Sequence, residues 1–166
     1  MLQAFRVFTI LASLAITPSV GLAQGASVAF GGLKQDTTLP VEVSADQLAV
    51  NQADGTAVFS GNVLVGQGEM RLSAGQVKVE YTTDGNGISK LFASQGVTLI
   101  NATDAAEARE AVYTIDSGLV VMTGDVLLTQ GGNALSGQKL VIDLKAGTGV
   151  MEGRVQTVFQ PGKAKN

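Results

Sequence analysis

The sequence predicts an all-β protein, a stretched β-jelly roll of about 14 to 16 short antiparallel strands at the usual five or six residues each. Three observations carry this. Apolar residues fall on alternate positions through most of the chain, which is the period of a half-buried strand. The 21 glycines, with clusters of Asp, Asn and Ala beside them, punctuate those runs as turns do. Finally, the segment VFSGNVLVGQGEMRLSAGQVKVEY from Val58 is echoed by VMTGDVLLTQGGNALSGQKLVIDL from Val121.

Taken in order, residues 1–23 read as a secretory signal peptide. Arg6 precedes an apolar run over 7–16, Pro18 interrupts it, and Gly21-Leu22-Ala23 offers a cleavage position before Gln24. The run is short for a membrane span, which needs about 20 apolar residues. A signal of this kind predicts that the domain is exported. Residues 24–38, QGASVAFGGLKQDTT, predict a loose N-terminal arm. The domain proper is expected over 39–160, starting with LPVEV, and 161–166 is expected to be a disordered tail.

Within the domain the alternating sets are Val41/Val43, Leu48/Val50, Ala57/Phe59, Val63/Val65, Met70/Leu72, Val77/Val79/Tyr81 and Val97/Leu99. They continue as Tyr113/Ile115, Val120/Met122, Val126/Leu128, Leu140/Ile142/Leu144 and Val155/Thr157/Phe159. Each predicts one apolar and one polar face. Ala53-Asp54-Gly55, Gly66-Gln67-Gly68, Asp84-Gly85-Asn86-Gly87, Asp116-Ser117-Gly118, Gly131-Gly132-Asn133 and Lys145-Ala146-Gly147 predict the turns between them. Residues 103–110, TDAAEARE, have good helix formers but no apolar stripe, so they predict a loop or single turn leading into the Tyr113 strand.

At one constant offset Val58 matches Val121, Ser60 Thr123, Gly61 Gly124, Val63 Val126, Gln67 Gln130, Gly68 Gly131, Leu72 Leu135 and Ser73 Ser136. The Gly-x-Val step returns more weakly at Gly96 and Gly153. A spacing of roughly 30 residues marks a repeat architecture in which each unit buries its apolar face against its neighbours. A parallel β-helix would have this glycine content too. Turns of a few residues join antiparallel neighbours, however, and favour two long sheets facing each other.

The chemistry available is sparse. With no His and no Cys, the usual base at neutral pH, the usual transition-metal ligand and the thiol nucleophile are all missing. Glu107 and Glu110 flank Arg109 as a solvated charged turn would, and Glu42, Glu80 and Asp143 alternate with inward apolar residues. Neither Gly66-Gln67-Gly68 nor Gly85-Asn86-Gly87 carries the lysine of a phosphate loop. The reading is therefore a non-enzyme without metal or cofactor. A formal net charge of −3, one unit more negative once Arg6 is removed, argues against nucleic acid as a partner. Function is left to the apolar inner face and to the two sheet ends, near Val41 and near Phe159, whose edges can pair with another chain.

LPVEVSADQL, then DGTAVFSGNVLVGQGEMRLSAGQVKV, AREAVYTIDSGLVVMTGDVLLTQ and LSGQKLVIDL, resemble the OstA-like (LptA) family of periplasmic lipopolysaccharide-transport bridge proteins over about residues 39–160. The resemblance implies a twisted, slightly open jelly roll stacked end to end, with a continuous apolar groove that carries lipopolysaccharide by its lipid A from inner to outer membrane. Its lipid-facing sites fall on Thr37, Val41 and Val43 and later on Leu99, Tyr113 and Ile115. The groove wall would add Phe59, Val63, Val65, Leu72, Val79, Met122, Val126, Leu128 and Ile142. The implied partners are the inner-membrane and outer-membrane components of the same pathway and further copies of the chain. Val41 and Val43 form one joining edge, and Val155, Thr157 and Phe159 the other. Two other readings compete: a polysaccharide-acting β-solenoid enzyme or adhesin, which should gather carboxylates on adjacent rungs, and a scaffold of the same fold with a fully packed core.

Overall fold

The computed structural model describes residues 26–29 and 34–160; the expected signal peptide and C-terminal tail lie outside the described residues. In chain order the strands are β1 (Ala26–Ala29), β2 (Glu42–Ser44), β3 (Gln47–Asn51), β4 (Thr56–Gln67), β5 (Met70–Tyr81) and β6 (Ile88–Asn101). They continue with β7 (Asp104–Ala108), β8 (Glu110–Thr114), β9 (Leu119–Gln130), β10 (Asn133–Asp143), β11 (Thr148–Glu152) and β12 (Gln156–Val158). All pair antiparallel in one 12-stranded sheet.

The count falls below the expected 14 to 16 because five strands are long rather than short: β4, β5 and β9 have 12 residues, β6 has 14 and β10 has 11. Each bends near its middle without leaving the ladder. In β4 the register shifts between Ser60 and Val63, and in β10 between Gly137 and Lys139. The repeated Gly-x-Val step is this bend. Gly61 (φ 77) with Asn62 (φ 47), and Gly124 (φ 84) with Asp125 (φ 49), are consecutive left-handed residues. A Cβ on Gly61 would come 2.6 Å from Asp46 Oδ2, so glycine is needed there for both conformation and space. The repeat read from sequence is thus a row of corners across the sheet.

That row folds the sheet into two facing leaves. Leaf one contains β3, β8, β11, β1 and the halves 56–60, 76–81, 88–94, 119–123 and 139–143 of the long strands. Leaf two contains β2, β7, β12 and the halves 63–67, 70–74, 97–101, 126–130 and 133–137. Inner-face residues interdigitate between the leaves: Val65, Leu72, Leu99, Ala106 and Leu128 from leaf two, and Val79, Leu91, Tyr113, Val120 and Ile142 from leaf one, are all fully buried. At about 1.5–3 kcal/mol for each large aliphatic side chain, this face holds the roll together.

Three expectations are corrected. Residues 103–110 are not a loop or turn: Asp104–Ala108 forms β7 and Glu110 begins β8. Ala and Asp are poor strand formers, but β7 has a ladder partner on both sides, β6 and β9, and pairing overrides propensity. The expected loose arm over 24–38 is partly ordered. Ala26–Ala29 pairs with β11, and residues 34–40 cross between the leaves. Finally, Gln67 is no turn residue. It closes β4 and is buried, leaving Gly68 and Glu69 as the turn.

Candidate lipid-binding interior

Alternation and register set the interior row by row. One inner row of leaf one runs Leu48, Phe59, Val77, Ala93, Ala111, Met122, Leu140, Met151 across successive strands. The matching row of leaf two runs Val43, Val65, Leu72, Leu99, Ala106, Leu128, Leu135, Thr157. Both therefore pass along the whole length of the roll.

The structure brings together most of the residues singled out from sequence. Val63, Val65, Leu72, Val79, Leu99, Tyr113, Met122, Val126, Leu128 and Ile142 belong to one buried cluster, and Val41, Val43, Phe59 and Ile115 pack against it partly buried. Thr37 is half-buried on the segment that crosses between the leaves, near Gly118. At the far edge Val155 packs on the core, while Thr157 and Phe159 are exposed.

The two ends differ. At the β2/β3 end, Leu48 and Val50 lie on the inner face but are 56% and 62% exposed, because no further strand covers them. Their expected half-burial fails for that reason. An open cleft of about 530 Å³ beside β2 is lined by Leu39, Pro40, Val43 and the outward-register residues Glu42, Leu64 and Arg71. At the opposite end Leu140, Leu144 and Met151 are fully buried, with β1 laid along β11.

Opposite the row of bends, the leaves meet along a seam formed by hairpin ends. A strap of residues 34–40 crosses it. Gln35 N donates to Leu144 O of leaf one (2.8 Å), and Gln35 Nε2 donates to Gln67 O of leaf two (2.6 Å). Gln67 Nε2 in turn donates to Thr37 O (3.1 Å) and Leu39 O (2.9 Å). The hydroxyl of Tyr113, reaching from leaf one, donates to Gln67 Oε1 at 2.7 Å, and burial pushes its pKa up to about 12. Gln67 is thus the knot that holds both leaves and the strap.

Gln67 also opens a polar row that sequence reasoning missed. On the inner face of leaf two, at the seam, stand Gln67, then fully buried Met70, then Asn101, Asp104, Gln130 and Asn133. Gln67, Asn101 and Asp104 are buried. Gln130 Nε2 donates to Asp104 Oδ2 at 2.9 Å. The signal was present as polar residues on inward positions, Gln67 after Val63 and Val65 and Asn101 after Val97 and Leu99, but in sequence it is indistinguishable from a turn. Glu42 and Glu80 face outward, and Glu80 pairs with Lys78 at 2.8 Å. Among the described residues the interior offers apolar walls and hydrogen-bonding side chains.

The sequence model of the family described as LptA/(LptD N-terminal domain) LPS transport protein matches residues 42–148. Among curated proteins, the chain is 29% identical to an uncharacterized protein of Rhizobium meliloti, covering 96% of this chain and 95% of that protein. It is 28% identical to the lipopolysaccharide export system protein LptH of Pseudomonas aeruginosa, covering 73% and 72% of the two chains. The crystal structure of that LptH, described as the LptA-homologous periplasmic component of a lipopolysaccharide transport device, matches with a TM-score of 0.68 at 22% identity, over 76% of this chain and 99% of that one.

Proposed function

From the premise that the chain belongs to the LptA/(LptD N-terminal domain) family of LPS transport proteins, we propose that it is a periplasmic carrier. In this reading it bridges inner and outer membranes and passes lipopolysaccharide along its apolar interior. The physical need is that each acyl methylene kept out of water is worth about 0.8 kcal/mol, so several chains crossing the periplasm exposed would cost tens of kcal/mol. A continuous apolar sleeve removes that cost.

The observation that carries the reading is the run of inner apolar rows from one end of the roll to the other, ending at the β2/β3 side in exposed Leu48 and Val50. Exposed Val158 and Phe159 at the other side support joining by strand addition, heterologous and open-ended. The Val41/Val43 edge meets the inner-membrane component or the tail of a preceding copy. The edge at Val155, Thr157 and Phe159 meets the next copy or the outer-membrane component. The driving energy comes from a partner.

Photo-crosslinking residues placed at Val43, at Ile115 and at outward Glu42, in cells that make lipopolysaccharide, test the carrier. Lipid adducts at the first two positions and none at the third are the expected result; adducts at Glu42 alone overturn it. One observation favours a second reading, a scaffold with a packed core: Leu72, Leu99 and Leu128 leave no exposed surface in the middle of the roll. Native mass spectrometry separates the two. A carrier brings bound lipid A species and a concentration-dependent ladder of oligomers, and a scaffold brings neither.

A further inference from the structure

The two lips of the seam differ in chemistry. Leaf one brings Ile88 and Ile115, packed on the core, and fully buried Leu144. Leaf two brings the polar row, and in its centre the side chain of Asn101 is 1% exposed with neither Nδ2 nor Oδ1 hydrogen-bonded. Alternation sets Asn101 on the same inner face as Leu99 and Val97, and its cross-strand partner Asp104 on the same face as Ala106. A buried amide without partners is a penalty on the ligand-free protein, and it stands where the apolar interior gives way to the seam.

We propose that this lip is a headgroup subsite. Asn101, with Asp104 and Gln130 beside it, accepts a neutral hydroxyl- or amide-bearing headgroup of an amphiphile whose acyl chains run inward past Leu99, Ala106 and Leu128. The proposal rests on the lipid-carrier reading and adds the chemistry of the polar end. An amphiphile lying between the leaves has its chains toward the bends and its head at the seam, where leaf two carries the row of amide and carboxyl side chains and leaf one carries Tyr81 beside Ile88. Asn101 supplies two N–H donors and one carbonyl acceptor, and Asp104 supplies acceptor oxygens. A hydroxyl or an amide satisfies both. A phosphate does not, because the row holds a carboxyl group and no cation. Entry requires the lips to part, which loosens the strap at Gln35 and Gln67.

The test uses the full mature chain and two probes with the same chain, N-dodecanoyl glucosamine and dodecyl phosphate, with purified lipopolysaccharide as a third ligand. In the unaltered protein, labelled with ¹⁵N-asparagine, the glucosamine probe should shift the Asn101 side-chain amide resonances, and dodecyl phosphate should leave them in place. Asn101→Leu should weaken the glucosamine probe about tenfold, the loss of roughly one hydrogen-bonding group. It should leave dodecyl phosphate within about twofold and raise the melting temperature, since a buried orphan has been removed. An Asn101 amide unmoved by the glucosamine probe overturns the subsite without any variant. So does an Asn101→Leu protein that melts lower and loses both probes equally, which would make Asn101 a structural residue. If lipopolysaccharide binds and Asn101→Leu binds it undiminished, only the subsite falls; if no amphiphile binds the unaltered protein, the carrier reading falls with it.

Discussion

Leu48 and Met151 stand at opposite ends of one inner row, yet Leu48 is 56% exposed and Met151 fully buried. Both are large, apolar and directed between the leaves. The difference is what lies beyond them. β1 runs along β11 and pairs Ala26 with Met151, whereas β3 has β4 on one side and no ladder partner on the other. An inward position is therefore a core position only when another strand follows it. The open end is the surface on which a second chain would continue the row.

The largest test of this contrast is truncation at each end. Met151→Ala should cost about 2–5 kcal/mol, as expected for a filled core position, and Leu48→Ala within about 0.5 kcal/mol; denaturant melts of the two variants measure both. Equal losses would mean that the open end is as packed as the closed one. Next comes Gly61→Val, at the corner between the leaves, where a branched side chain meets both the left-handed backbone and Asp46. It should cost about 1–3 kcal/mol, and hydrogen exchange should rise in both leaves of β4, not in one alone.

Tyr113→Phe removes the bond to Gln67 and should cost about 1 kcal/mol. The pH dependence carries a sign. Because folding raises the pKa of Tyr113 from 10.0 to about 12, its neutral form is retained in the folded state after the unfolded chain has ionised. This contribution is fully present below pH 10 and is lost as pH climbs through about 12. Alkaline melts should show that decline in the parent protein and less of it in Tyr113→Phe. The smallest effects on stability belong to the edges. Leu48→Lys and Thr157→Pro should leave the melting temperature nearly unchanged while weakening end-to-end association in sedimentation velocity. Undiminished oligomers would contradict strand addition.

How much of this was legible before the structure depends on whether the information is local. The inner rows were readable because alternation is a local property: Val63/Val65, Val97/Leu99 and Val126/Leu128 point where their period says. The corners were half readable. Gly61 and Gly124 stand out as a repeat, but a glycine that bends a continuing strand looks the same in sequence as one that ends it. β7 was missed because Asp104, Ala105 and Ala106 have little intrinsic strand preference and owe their conformation to β6 and β9. The strap was missed because its bonds to Gln67 and Leu144 join residues remote in sequence. Of the candidate site, the apolar wall followed from pattern, whereas the polar lip at Asn101 and Asp104 sits where a strand meets a hairpin and polarity is the norm.

The row of corners has a consequence for how such a molecule can change length. Every long strand carries its own bend, so the roll is a stack of chevrons with one cross-section, each adding about 4.8 Å. Inserting or removing a hairpin that brings its own bend lengthens or shortens the molecule by about 10 Å without redesigning the interior. Reach and bore are thus independent variables, and a chain of this design can be fitted to a wider or narrower gap by counting hairpins.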